Sequence, residues 1–132
     1  MKTISVLVLG LLLSSCELTL IDPVFDNRDR ITGTYRLEEY SQTYNDFFQY
    51  SIYIYRSGYR HEVRIENFYN ANLVVFGELQ GDKLYIHRQV TNGYEIEGVA
   101  TVFAQSLEFN YRVRELYSNR PADFCEAHAR IW

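Results

Sequence analysis

From residue 31 onward, apolar and polar side chains alternate with a period of two, and no stripe at helical spacing interrupts them. The alternation predicts eight strands, over residues 31–40, 48–56, 61–68, 73–79, 83–90, 94–103, 107–116 and 125–132. Turn-forming residues punctuate them: Ser57-Gly58, Asn70-Ala71-Asn72, Gly81-Asp82, Asn92-Gly93 and Gln105-Ser106, with longer breaks at 41–47 and 117–124. Connections this short make consecutive strands antiparallel neighbours.

The two faces separate by polarity. One carries Ile31, Tyr35 and Leu37, then Tyr50, Ile52 and Ile54, and continues through Ile65, Val75, Ile86, Ile96, Phe109, Tyr111, Cys125 and Ala129 to Ile131. The other carries Arg36, Glu38, Arg64, Glu66, Glu95, Glu97, Arg112, Arg114, Glu126 and His128. Eight antiparallel strands with one buried face form a sandwich or close on themselves, and closure removes the exposed edges that invite aggregation. The expected fold is therefore all-β: an eight-stranded antiparallel up-and-down barrel. A membrane-spanning barrel needs an apolar outer face, whereas Glu126, His128 and Arg130 stand in phase with Trp132.

The first thirty residues follow another rule. Met1-Lys2 supplies a positive start, and Ile4 to Leu13 is apolar except for Ser5, a length that suits a secretory signal peptide rather than a membrane span. Leu13-Ser14-Ser15-Cys16 then resembles a bacterial lipobox. The resemblance implies a lipoprotein signal peptide over 1–15, cleavage before Cys16, diacylglycerol on its sulfur and an acyl chain on its amine. More than one chain makes such an anchor effectively permanent. Residues 16–30, the lipidated cysteine and a polar stretch without apolar periodicity, read as a flexible tether, and residues 31–132 as the barrel. Cleavage removes Lys2, taking the net charge from −4 to −5 and leaving Lys83 as the only lysine beside eleven arginines. With Cys16 consumed by lipid, Cys125 has no disulfide partner in the chain.

Several short motifs, weak singly and persuasive in order, run through the strand region. They are Gly33-Thr34-Tyr35, the Tyr50, Ile52, Ile54 alternation, Ile65-Glu66-Asn67-Phe68, and Gly81 with Leu84, Ile86 and Gln89. Gly98, Leu107 with Tyr111, and Cys125-Glu126-Ala127 complete the set. Together they make the chain similar to small lipocalin-like lipoproteins of Bacteroidetes, which implies a barrel with an internal pocket. The chain departs from lipocalins in having Gly33-Thr34-Tyr35 where they carry Gly-x-Trp, and from many relatives in having Tyr40-Ser41 where they place a second cysteine. Some Bacteroidetes lipoproteins carry an acidic run after the lipid cysteine that sends them to the cell surface. Cys16 is followed here by Glu17-Leu18-Thr19-Leu20, so the expected location is the outer membrane, facing the periplasm.

Catalytic signals are sparse. His61, His87 and His128 are scattered without metal-ligand spacing, so neither a metal nor another cofactor is expected. Glu95 with Glu97, and Glu62 with Glu66, point outward among Arg64, Arg112 and Arg114 and read as cross-strand ion pairs. Cys125 lies on the apolar face, where a thiol behaves as a small hydrophobe. A hydrolase has only His61, Arg88 and Glu115 at strand ends to draw on. The mild acidity gives nucleic acid no basic surface. Two non-enzymatic uses remain for a lipid-anchored envelope protein. In one, Tyr35, Tyr50, Ile52, Phe109 and Tyr111 line a site for a small apolar or amphipathic molecule. In the other, those side chains fill the barrel and the outside, with outward Tyr53, Tyr55, Phe76 and Tyr85, meets a partner protein of an envelope complex or a glycan.

Overall fold

The structure, a computed structural model, describes residues 26–132. The signal peptide, Cys16 and most of the tether lie outside the described residues. Eight strands follow in sequence: β1 (Gly33–Ser41), β2 (Asp46–Arg56), β3 (Glu62–Phe68), β4 (Leu73–Gln80), β5 (Lys83–Thr91), β6 (Tyr94–Val102), β7 (Ser106–Glu115) and β8 (Asp123–Ile131). Each pairs antiparallel with the next, and β8 returns to β1 along the register Tyr35↔Ile131 to Ser41↔Cys125. The result is the closed up-and-down barrel that the alternation predicts, an architecture compatible with a lipocalin-like fold.

The apolar face turns inward. Leu37, Ile52, Ile54, Val63, Ile65, Val75, Leu84, Ile86, Ile96, Phe109 and Ala129 are all buried, and a fully buried Ile, Leu or Phe contributes about 1.5–3 kcal/mol. Ile131 departs from the expected set. Although in phase with Ala129, it sits on the open rim and is exposed.

Irregularities shape the barrel. Asn67 adopts a left-handed conformation (φ 62°) where the β3–β4 register shifts, and its side-chain amide donates to the Ser51 carbonyl at 2.8 Å. Asn tolerates this region better than most residues. On β6, a Cβ at Gly98 would stand 2.5 Å from the Tyr111 Cβ and 2.6 Å from the Asn110 carbonyl oxygen. Only glycine lets β7 approach this closely. Between β4 and β5 the ladder holds only from Glu78↔Tyr85 to Gln80↔Lys83. Beyond it, the Gln89 side chain takes the place of a strand neighbour: its Oε1 accepts from the Phe76 amide and its Nε2 donates to the Phe76 carbonyl, both at 2.8 Å.

The upper end holds the β1–β2, β3–β4, β5–β6 and β7–β8 connections. The lower end holds the other three hairpins and both ends of the described chain. Asn27–Arg30, expected as tether, forms instead a short 3-10 helix capped by the Asp26 side chain. From it Arg28 Nη1 donates to the carbonyls of Ser57 (3.0 Å), Tyr59 (2.9 Å) and Glu62 (2.9 Å). Ile31, expected in β1, is buried just before it.

Candidate functional site

Four of the five residues expected to line a pocket are buried: Tyr35, Ile52, Phe109 and Tyr111; Tyr50 is half-buried. They stand at different heights in the barrel. Tyr35 belongs to the lower half, where its hydroxyl donates to the Ile31 carbonyl at 3.0 Å. Phe109 and Tyr111 meet the ring of Phe68, with centroids 6.4 Å and 4.7 Å away. The Tyr50 and Tyr111 hydroxyl oxygens are 3.5 Å apart. These aromatic rings occupy the barrel interior against one another, and such contacts add to the energy of burial itself.

Above them lies a buried polar cluster that the sequence reading did not single out. Glu39 is 2% exposed, and its Oε1 accepts from the Tyr50 hydroxyl at 2.6 Å. The Asp123 carboxyl, also buried, accepts from the Ser41 hydroxyl on one oxygen and the Tyr69 hydroxyl on the other, each at 2.5 Å. Ser41 Oγ accepts in turn from the Tyr44 amide at 3.1 Å. The signal for this cluster was the strand phase itself. Glu39 and Ser41 continue the inward positions of Leu37, and Asp123 precedes Cys125 by two residues.

Burial and proximity set the proton affinities here. Desolvation, with the Asp123 charge nearby, pushes Glu39 up to about 7 against the Tyr50 hydrogen bond, which lowers it. Burial raises the phenols of Tyr50 and Tyr69 above their ordinary range, and the adjacent carboxyls reinforce this. The Cys125 thiol rises strongly, first through desolvation and then through Glu39 and Asp123. Its surroundings are therefore not the purely apolar ones expected, and the thiolate needed of a nucleophile is suppressed. No buried side-chain nitrogen or oxygen among the described residues lacks a partner. The cluster is thus two hydrogen-bonded groups at the upper end, Tyr50 with Glu39, and Ser41 and Tyr69 with Asp123, coupled through the charges of the two carboxyls.

The outer face has its own centre. Glu95 points outward as expected, yet it is only 7% exposed, because Arg88 (2.8 Å), Arg114 (3.4 Å) and Arg112 (3.7 Å) cover its carboxylate. Arg88 foremost holds that carboxyl below the usual carboxylate range. Arg112 also reaches Glu97 at 2.6 Å. A groove of about 800 Å³ runs over the β4–β5 seam, lined by Tyr59, Arg60, Phe76, His87, Arg88 and Gln89 among others. The other outward aromatics, Tyr53, Tyr55 and Tyr85, are exposed as expected.

The three residues a hydrolase would have drawn on do not converge. His61 lies in the lower β2–β3 turn, Arg88 is engaged with Glu95 on the outer face, and Glu115 ends β7 at the upper rim. No group of three His, Cys, Asp or Glu among the described residues is placed to hold a metal ion. Comparison with known proteins finds no family model that matches the chain and no matching curated protein.

Proposed function

We propose that this chain is a non-enzymatic, lipid-anchored protein of the bacterial cell envelope whose filled barrel serves as an interaction module for a partner protein. The anchor is Cys16 within Leu13-Ser14-Ser15-Cys16, and the outer membrane facing the periplasm is the location that the following Glu17-Leu18-Thr19-Leu20 favours. The observation that carries the choice between container and solid body is the packing of Phe68 on Phe109 and Tyr111 inside the closed barrel. An eight-stranded barrel is just wide enough for its own side chains or one small ligand, and rings in mutual contact take up that width. What remains for recognition is the outside, where Tyr55, Phe76 and Tyr85 stand exposed beside the β4–β5 groove.

Native mass spectrometry of the protein purified from its own membrane tests this reading. The expected species is the chain from Cys16 with its acyl groups and no further small molecule. A retained apolar compound, released only on unfolding, would restore the container with Tyr35, Tyr50, Ile52, Phe109 and Tyr111 as its walls.

A further inference from the structure

Chain direction assigns the two barrel ends different surroundings. The described chain begins at Asp26 on the lower end, and only ten peptide units separate Asp26 from Cys16. At up to about 3.6 Å each they reach no more than about 36 Å. On that same end, aromatic and cationic residues stand at the rim. Tyr59 is 75% exposed beside Arg60 in the β2–β3 turn, Phe103 is 49% exposed after β6, and Trp132 is 70% exposed beyond β8. Lys83 begins β5 at this rim, and the Arg36 guanidinium lies over the Trp132 ring, 5.8 Å from its centroid.

We infer that this lower rim seats on the lipid surface holding the anchor, with Tyr59, Phe103 and Trp132 entering the headgroup layer. The inference rests on lipidation of Cys16. Tyr and Trp concentrate at membrane–water interfaces because one part of the ring system is apolar and another can hydrogen-bond, while long cationic side chains carry their charge out toward the headgroups. The rim is also stiff. Arg28 ties the β2–β3 turn to the 3-10 helix, Arg30 reaches the Gly81 carbonyl at 2.8 Å, Asp82 accepts from the Val102 amide at 2.8 Å, and Gln105 accepts from the Ile131 amide at 3.1 Å. The backbone that carries its aromatics is therefore held in place before contact, so little backbone ordering entropy opposes docking. A tether this short turns docking into an intramolecular event at high effective concentration, so weak individual contacts suffice. The charge pairs Arg30–Asp82 (3.3 Å) and Arg56–Asp29 neutralise much of the rim, so anionic lipid is not required. Tyr117 and Phe47 are exposed as well, but at the upper end, one strand length from where the tether leaves.

Trp132, the only tryptophan, is the built-in reporter. The full-length gene product, purified from membranes and reconstituted in phosphatidylethanolamine–phosphatidylglycerol vesicles, is floated on a density gradient. Trp132 fluorescence is then read against shallow brominated lipid and against aqueous acrylamide. Docking predicts quenching by the brominated lipid and shielding from acrylamide. The Tyr59→Ser, Phe103→Ser double variant should still float and lose the lipid quenching about twofold. Protein that floats while Trp132 stays open to acrylamide and blind to brominated lipid overturns the docking and leaves the anchor standing. Protein that does not float removes the anchor reading. The same chain coupled through the Cys16 thiol to a maleimide lipid then decides the docking by the same two quenchers.

Discussion

At the lower end of the barrel the Arg28 guanidinium reaches three backbone carbonyls of the β2–β3 turn, those of Ser57, Tyr59 and Glu62. At the upper end two carboxyls, Glu39 and Asp123, take hydroxyl donors from Tyr50, Ser41 and Tyr69. Both arrangements satisfy polar groups at the ends of the barrel, but they store opposite dependences on protons. Arginine stays charged at any ordinary pH. The lower carboxylate in this system, Asp26, is half-buried, and Arg28 holds it well below the usual carboxylate range. A depressed carboxyl stabilises the fold above its ordinary value of 3.8 and loses that contribution as the pH falls through its folded value. Glu39 works the other way. Its folded value of about 7 exceeds the ordinary 4.5, so the fold is favoured while Glu39 is protonated and is weakened as pH rises from 4.5 through about 7. Between those limits only the upper end responds.

The largest test removes the acceptor shared by two hydroxyls. Asp123→Ala leaves Ser41 and Tyr69 without their partner in a buried site and should cost about 4 kcal/mol in urea unfolding at pH 7. Next comes the pH profile. The wild type should lose about 3 kcal/mol of stability between pH 4.5 and 7.5, the linkage value of the Glu39 displacement. Glu39→Gln keeps an acceptor for Tyr50 and should flatten that profile, ending more stable than wild type at pH 8; a parallel slope in both proteins would remove Glu39 as its source. Arg28→Ala gives up the contacts to three carbonyls and the ion pair with Asp26, all partly exposed, and should cost about 2 kcal/mol. That loss should be the same at pH 5 and pH 8, and a pH-dependent one would erase the contrast between the ends. The smallest effect concerns Cys125, buried and with its thiol pushed up. Native-state alkylation should be negligible in wild type and in Arg28→Ala, and measurable in Asp123→Ala, where the upper end opens locally.

Strand positions and the inward phase were legible because burial of one face imposes a period of two that nothing else in the chain imitates. The ends were not. Glu39 and Ser41 sit on inward positions, yet both are polar, so the inward apolar set stops at Leu37 and the strand expected over 31–40 leaves Ser41 in the following break. Consecutive Phe47 and Phe48 break the alternation in the same way, and β2 begins two residues earlier than that pattern suggests, at Asp46. The motif residues carried meaning that only contacts disclose. Asn67 turns a register shift, Gln89 bridges a seam, and Gly98 makes room for Tyr111. Of the expected pocket residues, Tyr50 and Tyr111 come together, whereas Tyr35 lies toward the opposite end.

The sequence by itself determined that this chain makes an antiparallel ribbon of eight strands with an apolar side, since side-chain alternation is a local property that each strand carries alone. The carboxyls gathered at one rim and the arginine that ties the other to the β2–β3 turn were decided only in three dimensions. Each depends on partners dozens of residues apart, 82 between Ser41 and Asp123 and 34 between Arg28 and Glu62. A polar residue acquires its cost or its use from what surrounds it, and the surroundings exist only once the strands have met.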